Sequence, residues 1–513
     1  MKKGILVCAL CLLLTACGGS AEKNADSADT TTNTAAVTTG TQSGTQTSVA
    51  TTIGGTTGVT GTTTAPQTTS GSAAGTTSNQ TTTSGHTTIS GNTATNPPST
   101  STDAPATTPK TPDTEEPEEP DYVLPEVRID TVKIAKIAFD VYSDCTVKIT
   151  AGTDTAIQNT GAMSARIKGR GHSTWKWDKK PYKIKLDTKA SLLGMNADKE
   201  WVLLAEYADK TLMRNQIGFA MSDYLGSMIY TPDAVSVSLY IDGKYQGVYT
   251  VCEEIEVNDN KVNIAEDYNI NDTGYLLEIG GRNDEVDVKG RDYFFSNKNT
   301  VRSCRIQSPD TEKMSTAQYN FIKGYVNSAE AAVIAKSGYE KYIDVDSFID
   351  WFILEEMAYN VDCAFRRSCF LTKPAGGKLE MGPVWDFDLA FGNFSVYMNN
   401  YDDWATLGVD DKDAYVKLTW YNYLLEDPAF RQKARTRWDA VKNGLLDNAY
   451  AAIDANYEKL SDAQEDNFDK WDILNIRVGF ERKDVTKYNT YDKQVKYLKD
   501  FIKTRYDWID KNL

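Results

Sequence analysis

Residues 181–187 read Pro181-Tyr182-Lys183-Ile184-Lys185-Leu186-Asp187, apolar side chains alternating with lysines between a proline and an aspartate. That period of two predicts a strand with Tyr182, Ile184 and Leu186 on one face and Lys183 and Lys185 on the other. Upstream, Thr146-Val147-Lys148-Ile149-Thr150 alternates in the same way, so the stretch from Val127 to Leu186 is predicted to be strand-rich. Downstream, Val235 to Ile241 and Gly247 to Val251 flank Asp242-Gly243, the signal of a tight hairpin. Between them Leu212, Ile217, Met221 and Leu225 recur at helical spacing behind Asp209, the predicted N-cap, and stop at Gly226. From about Ser315 the pattern turns helical, including Ser347 to Tyr359 and most of Pro428 to Leu513. One short strand is expected at Lys378-Leu379-Glu380-Met381, before Pro383. Strands first and helices afterwards predict an α+β fold with a sheet-rich N-terminal lobe and a helical C-terminal lobe.

The chain of 513 residues begins differently. Lys2 and Lys3 precede an apolar run from Gly4 to Leu14, then Leu14-Thr15-Ala16-Cys17 with Gly18 and Gly19 after it. The run is too short to span a bilayer as a mature helix and reads as a signal peptide over residues 1–16. A cysteine at the cleavage point resembles the bacterial lipobox, which implies a lipidated Cys17 and an extracytoplasmic protein anchored at the bacterial cell surface by acyl chains. From Ser20 to about Thr111 the chain is almost wholly Thr, Ser, Gly, Ala, Asn and Gln without an aromatic residue. It cannot bury enough apolar surface to offset its ordering entropy, and is expected to be a flexible stalk with a span on the order of 50–60 Å. An acidic, proline-rich segment closes it, so residues 17–121 are assigned to the stalk and residues 122–513 to the folded domain.

Charge and composition exclude several chemistries. The net charge is −16, and removing the ten acids and four bases of residues 1–121 leaves the remainder acidic. A nucleic-acid partner is therefore not expected, because phosphate binding needs a basic stripe. Histidine occurs only as His86, inside the polar tract, and His172, which disfavours histidine zinc sites. Five cysteines follow Cys17, none in a CxxC pair, and are expected to be mostly buried thiols. Chemistry must rest on carboxylates, lysines, arginines or cysteines.

Two constellations meet that requirement. Asn360-Val361-Asp362 follows an apolar helical stretch, and about twenty residues later comes Gly382-Pro383-Val384-Trp385-Asp386-Phe387-Asp388. Carboxylates among aromatics either ligate a cation, as phosphoryl transfer would need, or accept backbone N–H bonds at a turn. Lys183 and Lys185 either hold phosphate oxygens or form the solvated face of their strand. The glycine-rich Arg166-Ile167-Lys168-Gly169-Arg170-Gly171-His172-Ser173 could likewise cradle an anion.

These stretches, together with Leu193-Gly194-Met195, Trp201-Val202-Leu203-Leu204-Ala205, Leu212-Met213-Arg214-Asn215, Gly247-Val248-Tyr249 with Glu253, and Gly274-Tyr275-Leu276-Leu277-Glu278, occur in the order and spacing of the CotH kinase family. The chain resembles that family from about Leu124 to at least Asn393. The resemblance implies an atypical protein-kinase-like fold that uses ATP and a divalent metal, Mg²⁺ or Mn²⁺, to phosphorylate Ser or Thr of a protein or cell-envelope polymer. On that pattern Asp362 is the catalytic base, Asp386 holds the metal and Asp388 assists it. Lys185 contacts phosphate, Lys183 is second to it, and Glu253 is the partner of the lysine. Two positions depart from the pattern. His172 stands where the family commonly has Asn, and Arg367 stands five positions beyond Asp362, where a protein kinase carries a metal-binding Asn. Arginine cannot ligate Mg²⁺. A second expectation follows from this: a pseudokinase-like module that uses the same cleft to bind a cell-envelope or glycan partner.

Overall fold

The computed structural model describes residues 122–132, 136–280, 290–301, 303–394, 401–407 and 418–513. The expected signal peptide, Cys17 and the Thr/Ser/Gly-rich tract lie outside these residues. Within them β1 (Glu126–Thr131), β2 (Ser143–Thr150), β3 (Met163–Gly169), β4 (Tyr182–Ala190), β5 (Asp198–Leu204), α1 (Arg214–Leu225), β6 (Ala234–Ile241) and β7 (Lys244–Glu253) come first. The seven strands close into a barrel in the order β1-β2-β3-β4-β5-β7-β6, completed by the parallel pairing of β6 with β1.

Alternation explains the closure. Ile184 on β4 pairs with Trp201 on β5, and these side chains, with Ile129, Ile167, Leu203 and Val251, point inward and are almost wholly buried. The alternate set, Lys183, Lys185, Glu200 and Val202, faces outward. Asp242 and Gly243, both at positive φ (49° and 74°), form the turn expected between β6 and β7.

The predicted helix starts later than its apolar pattern, at Arg214, because Leu212 sits at φ 59°. Asp209 still caps it at a distance: its carboxylate accepts the N–H groups of Met213 (3.1 Å) and Arg214 (2.8 Å). Gly226 ends it in the left-handed conformation at φ 74°.

The second half is not purely helical, which corrects the simple strands-then-helices reading. β8 (Tyr275–Ile279), β9 (Tyr293–Phe294), β10 (Cys304–Ser308), β11 (Cys369–Lys373) and β12 (Glu380–Met381) form a second sheet ordered β12-β11-β8-β10-β9. Its central strands β8 and β11 are too short and too fully buried to show a period of two, and they come from stretches of sequence separated by helices. Those helices are α2 (Thr316–Ile334) and α3 (Val345–Ala358), followed by α4 (Trp420–Leu424), α5 (Pro428–Leu460), α6 (Ala463–Lys470) and α7 (Tyr491–Asn512). α2 opens with a capping box in which Ser315 and Gln318 bond reciprocally. α3 is buried on every side from Ser347 to Ala358 and forms the centre of the helical layer.

Gly247 shows how barrel and helices lock together. Its φ is 110°, and an added Cβ would lie 2.7 Å from Asn467 Oδ1 on α6 and 2.9 Å from Trp471 Nε1. Only glycine lets α6 approach this strand, where Asn467 Oδ1 accepts both the Val248 N–H (3.1 Å) and the Lys179 ammonium (2.8 Å). The five cysteines after Cys17 are all buried free thiols, as expected.

Candidate functional site

A cavity of about 620 Å³ opens between the outer face of the barrel and the second sheet with the loops after α3 and β12, and Asp362, Asp386, Asp388, Glu206, Arg170 and Arg367 all line it. Four stretches of chain deliver them, with Arg170 coming from the loop after β3. Asp362 follows the C-terminal end of α3, where Tyr359 turns at φ 46°. Asp386, itself at φ 70°, and Asp388 come from the segment after β12. Glu206, at φ 49°, closes the loop after β5. Non-glycine residues in the left-handed region cost of order 1–3 kcal/mol each, and six of them, Tyr359, Ala364, Phe365, Ser368, Asp386 and Phe391, lie in the two segments behind this cavity.

Asn215, at the start of α1, ties the pieces together. Its amide donates to both Glu206 carboxylate oxygens at 3.1 Å, and its Oδ1 accepts the Phe387 N–H at 2.8 Å, between the two aspartates. On the other side Asn360 donates to the Asp386 carbonyl at 3.3 Å, and Ser368 Oγ donates to Asp386 Oδ2 at 3.0 Å. The two aspartates of the Trp385-Asp386-Phe387-Asp388 run therefore point into the cavity while Phe387 between them is fully buried. Its ring lies over Gly218 of α1, where an added Cβ would come within 2.4 Å of the ring. Gly218→Ala is expected to push Phe387 back and disorder both aspartates. Overpacking of about 1–3 kcal/mol should exceed the ~1 kcal/mol gained in helix propensity, read as a lowered unfolding midpoint.

The carboxylates repel one another. Burial raises the Asp388 carboxyl well above the usual range, and Asp386, Glu206 and Asp362 add to the effect. Burial also raises Asp362, with Arg367 opposing and Asp386 reinforcing the shift. Glu206 is pushed up to about 7, first by burial and then by Asp209. Arg367 Nη1 lies 3.4 Å from Asp362 Oδ1, and Arg170 sits over the Trp385 ring at 5.8 Å.

The lysines are placed differently from the sequence expectation. Lys183 pairs with Glu200 and Glu254, and Lys185 with Glu200. Neither lysine lines the cavity, but Glu254 does, so Lys183 is tied to its wall. Burial alone would lower the Lys183 ammonium, but the two carboxylates outweigh it and raise it above the ordinary lysine value. Glu253 is not the partner of either lysine: it is buried against the Tyr230 hydroxyl and accepts the Asp233 N–H at 3.1 Å. The reason is parity. Glu253 pairs across the sheet with Trp201, an inward position, whereas the lysines point outward. Glu254, one residue on, has the right face, and Glu200 sits directly opposite Lys185. That cross-strand register, together with Glu206 and Asn215, is what sequence reasoning missed.

Among the described residues no group of three or more His, Cys, Asp and Glu side chains is placed to hold a metal ion by itself. The chemistry of the donors still suits a divalent cation, since no described cation forms an ion pair with Asp386 or Asp388. Mg²⁺ is characteristically held by one or two carboxylates, with phosphate and water oxygens completing its shell. No curated protein matches the chain. The family model described as CotH kinase protein matches residues 167–509, which takes in every element from β4 to α6, parts of β3 and α7, and all the residues that line the cavity. The chain therefore belongs to the CotH kinase protein family.

Proposed function

We propose that this chain is a kinase-like phosphotransferase that uses ATP and a divalent cation, Mg²⁺ or Mn²⁺, to phosphorylate Ser or Thr hydroxyls of a protein or cell-envelope polymer. The observation that carries the reading is the convergence of Asp362 with Asp386 and Asp388 in one cavity that also holds Arg170 and Arg367. In this reading the outer face of the barrel and the second sheet with its loops clasp the nucleotide in the manner of an atypical protein kinase. Asp386 and Asp388 hold the cation, whose contribution when bound is to neutralise phosphate charge. Arg170 supplies fixed positive charge at the cavity, while Lys183, neutralised by Glu200 and Glu254, braces the wall behind it.

Asp362 accepts the proton. The acceptor hydroxyl oxygen bonds to the terminal phosphorus as the bond from phosphorus to the nucleoside diphosphate oxygen breaks. The diphosphate leaves with that electron pair, and the hydroxyl proton passes to the Asp362 carboxylate. A carboxyl raised by burial is a better proton acceptor than an ordinary aspartate. We place this chemistry outside the cytoplasmic membrane, on a domain anchored through a lipidated Cys17, as the N-terminal sequence pattern supports.

Calorimetric titration of the full chain with ATP, with and without Mn²⁺, tests the reading. Saturable binding that needs the metal is expected. A folded protein that binds no nucleotide under either condition would overturn it and favour the binding-module alternative.

A further inference from the structure

The residue that breaks the kinase pattern is itself placed in the cleft. Arg366 and Arg367 are adjacent but serve different ends. Arg366 is locked, donating to the carbonyls of Val361 (3.1 Å), Ala405 (2.8 Å) and Leu407 (2.9 Å), and it braces the loop behind Asp362. The Arg367 side chain is 51% exposed, and its guanidinium meets Asp362 at 3.4 Å, longer than a well-formed charge-assisted hydrogen bond. A fork held this loosely, against the residue assigned to the acceptor proton, has donors left for an anionic ligand. Ser368 uses its hydroxyl on Asp386, and no three-member acidic cluster occurs among the described residues.

Resting on the phosphotransferase reading, we propose that Arg367 binds the terminal phosphoryl group of the nucleotide and takes the electrostatic place of a second divalent cation, so that the cleft works with one metal ion. A guanidinium presents donors in a planar fork that matches two phosphoryl oxygens and carries its charge at every physiological pH. A cis arginine on the transferred group is an established substitute for other positive charge in phosphoryl transfer. The Asp362 carboxylate pre-orients the fork toward the point where acceptor and phosphoryl group meet, so Arg367 discriminates triphosphate from diphosphate.

The test compares ATP and ADP binding by calorimetry at saturating Mn²⁺ for the full-length parent, Arg367→Ala, Arg367→Met and Asp386→Asn, with bound Mn²⁺ counted by electron paramagnetic resonance. Thermal melts first establish that each variant folds. Both Arg367 variants are expected to lose roughly tenfold to hundredfold in ATP affinity, the worth of a hydrogen bond to a charged group, while ADP affinity stays within about twofold. One Mn²⁺ per nucleotide-bound chain is expected in the parent. An unchanged ratio of ATP to ADP affinity in both folded Arg367 variants, or two bound Mn²⁺ ions, would overturn the Arg367 assignment. If that happens while Asp386→Asn still weakens metal-dependent binding, the phosphotransferase reading stands without it. A parent with no metal-dependent ATP binding would overturn both.

Discussion

Asp362→Asn is expected to bind ATP and metal within about twofold of the parent and to transfer phosphate slower by roughly two to four orders of magnitude, the usual worth of a general base. Asp386→Asn should do the reverse to binding: removing one charge from the cation's shell while keeping the shape lowers metal-dependent ATP affinity by about tenfold or more. The structure supports this separation because the two carboxylates are carried by different segments and engage different neighbours. Asp362 faces Arg367, whereas Asp386 accepts the Ser368 hydroxyl. Calorimetry with Mn²⁺ and transfer of the γ-phosphate to a serine-rich peptide measure the two effects on the same preparations. Were the carboxylates only turn acceptors, both variants would lose about 1–3 kcal/mol of stability and leave nucleotide behaviour as it was.

The largest expected loss of stability lies behind the cleft. Glu356 and Arg505 are completely buried and paired at 3.1 Å, joining α3 to α7. The carboxylate also accepts the N–H groups of Ala405 and Thr406, both at 2.8 Å, and the Thr406 hydroxyl at 2.7 Å. The guanidinium also donates to the Glu356 carbonyl at 3.0 Å and to the carbonyls of Tyr401 and Asp403. Arg505→Met leaves a buried carboxylate without its cation and should cost about 3–5 kcal/mol, read as a lower denaturant midpoint with an unchanged slope. Adding Glu356→Gln should recover part of that loss, because the amide oxygen can still accept from the backbone and no charge remains buried. A double variant no more stable than Arg505→Met alone would show that the arginine acts by packing and carbonyl bonding instead of by neutralising Glu356.

Much of the barrel was legible because its strands have one buried and one outward face. The alternation in β2, β4 and β6 states the period directly, and Asp242-Gly243 states the turn. The helix that opens with Ser315 was equally readable from its start, where Ser315 and Gln318 cap one another. Of the second sheet only the short strand at Glu380–Met381 was legible. β8 and β11 are buried on both faces, so periodicity is lost, and their pairing joins residues about a hundred positions apart. Local pattern carries no information about such a partner.

The same division runs through the cleft. Residue types and spacing alone singled out Asp362, Asp386, Asp388, Lys183 and Lys185, since carboxylates amid aromatics and lysines on one strand face are local features. Partnership was decided by tertiary structure. Whether a lysine meets Glu253 or Glu254 depends on a single step of register, which reverses the face of every side chain. Glu206 reaches the aspartates only because Asn215 bridges two segments more than 170 residues apart. Sequence determined which groups could do chemistry; strand closure and the docking of α1 against the segment after β12 determined which of them meet, because distance in space is set by packing and not by position along the chain.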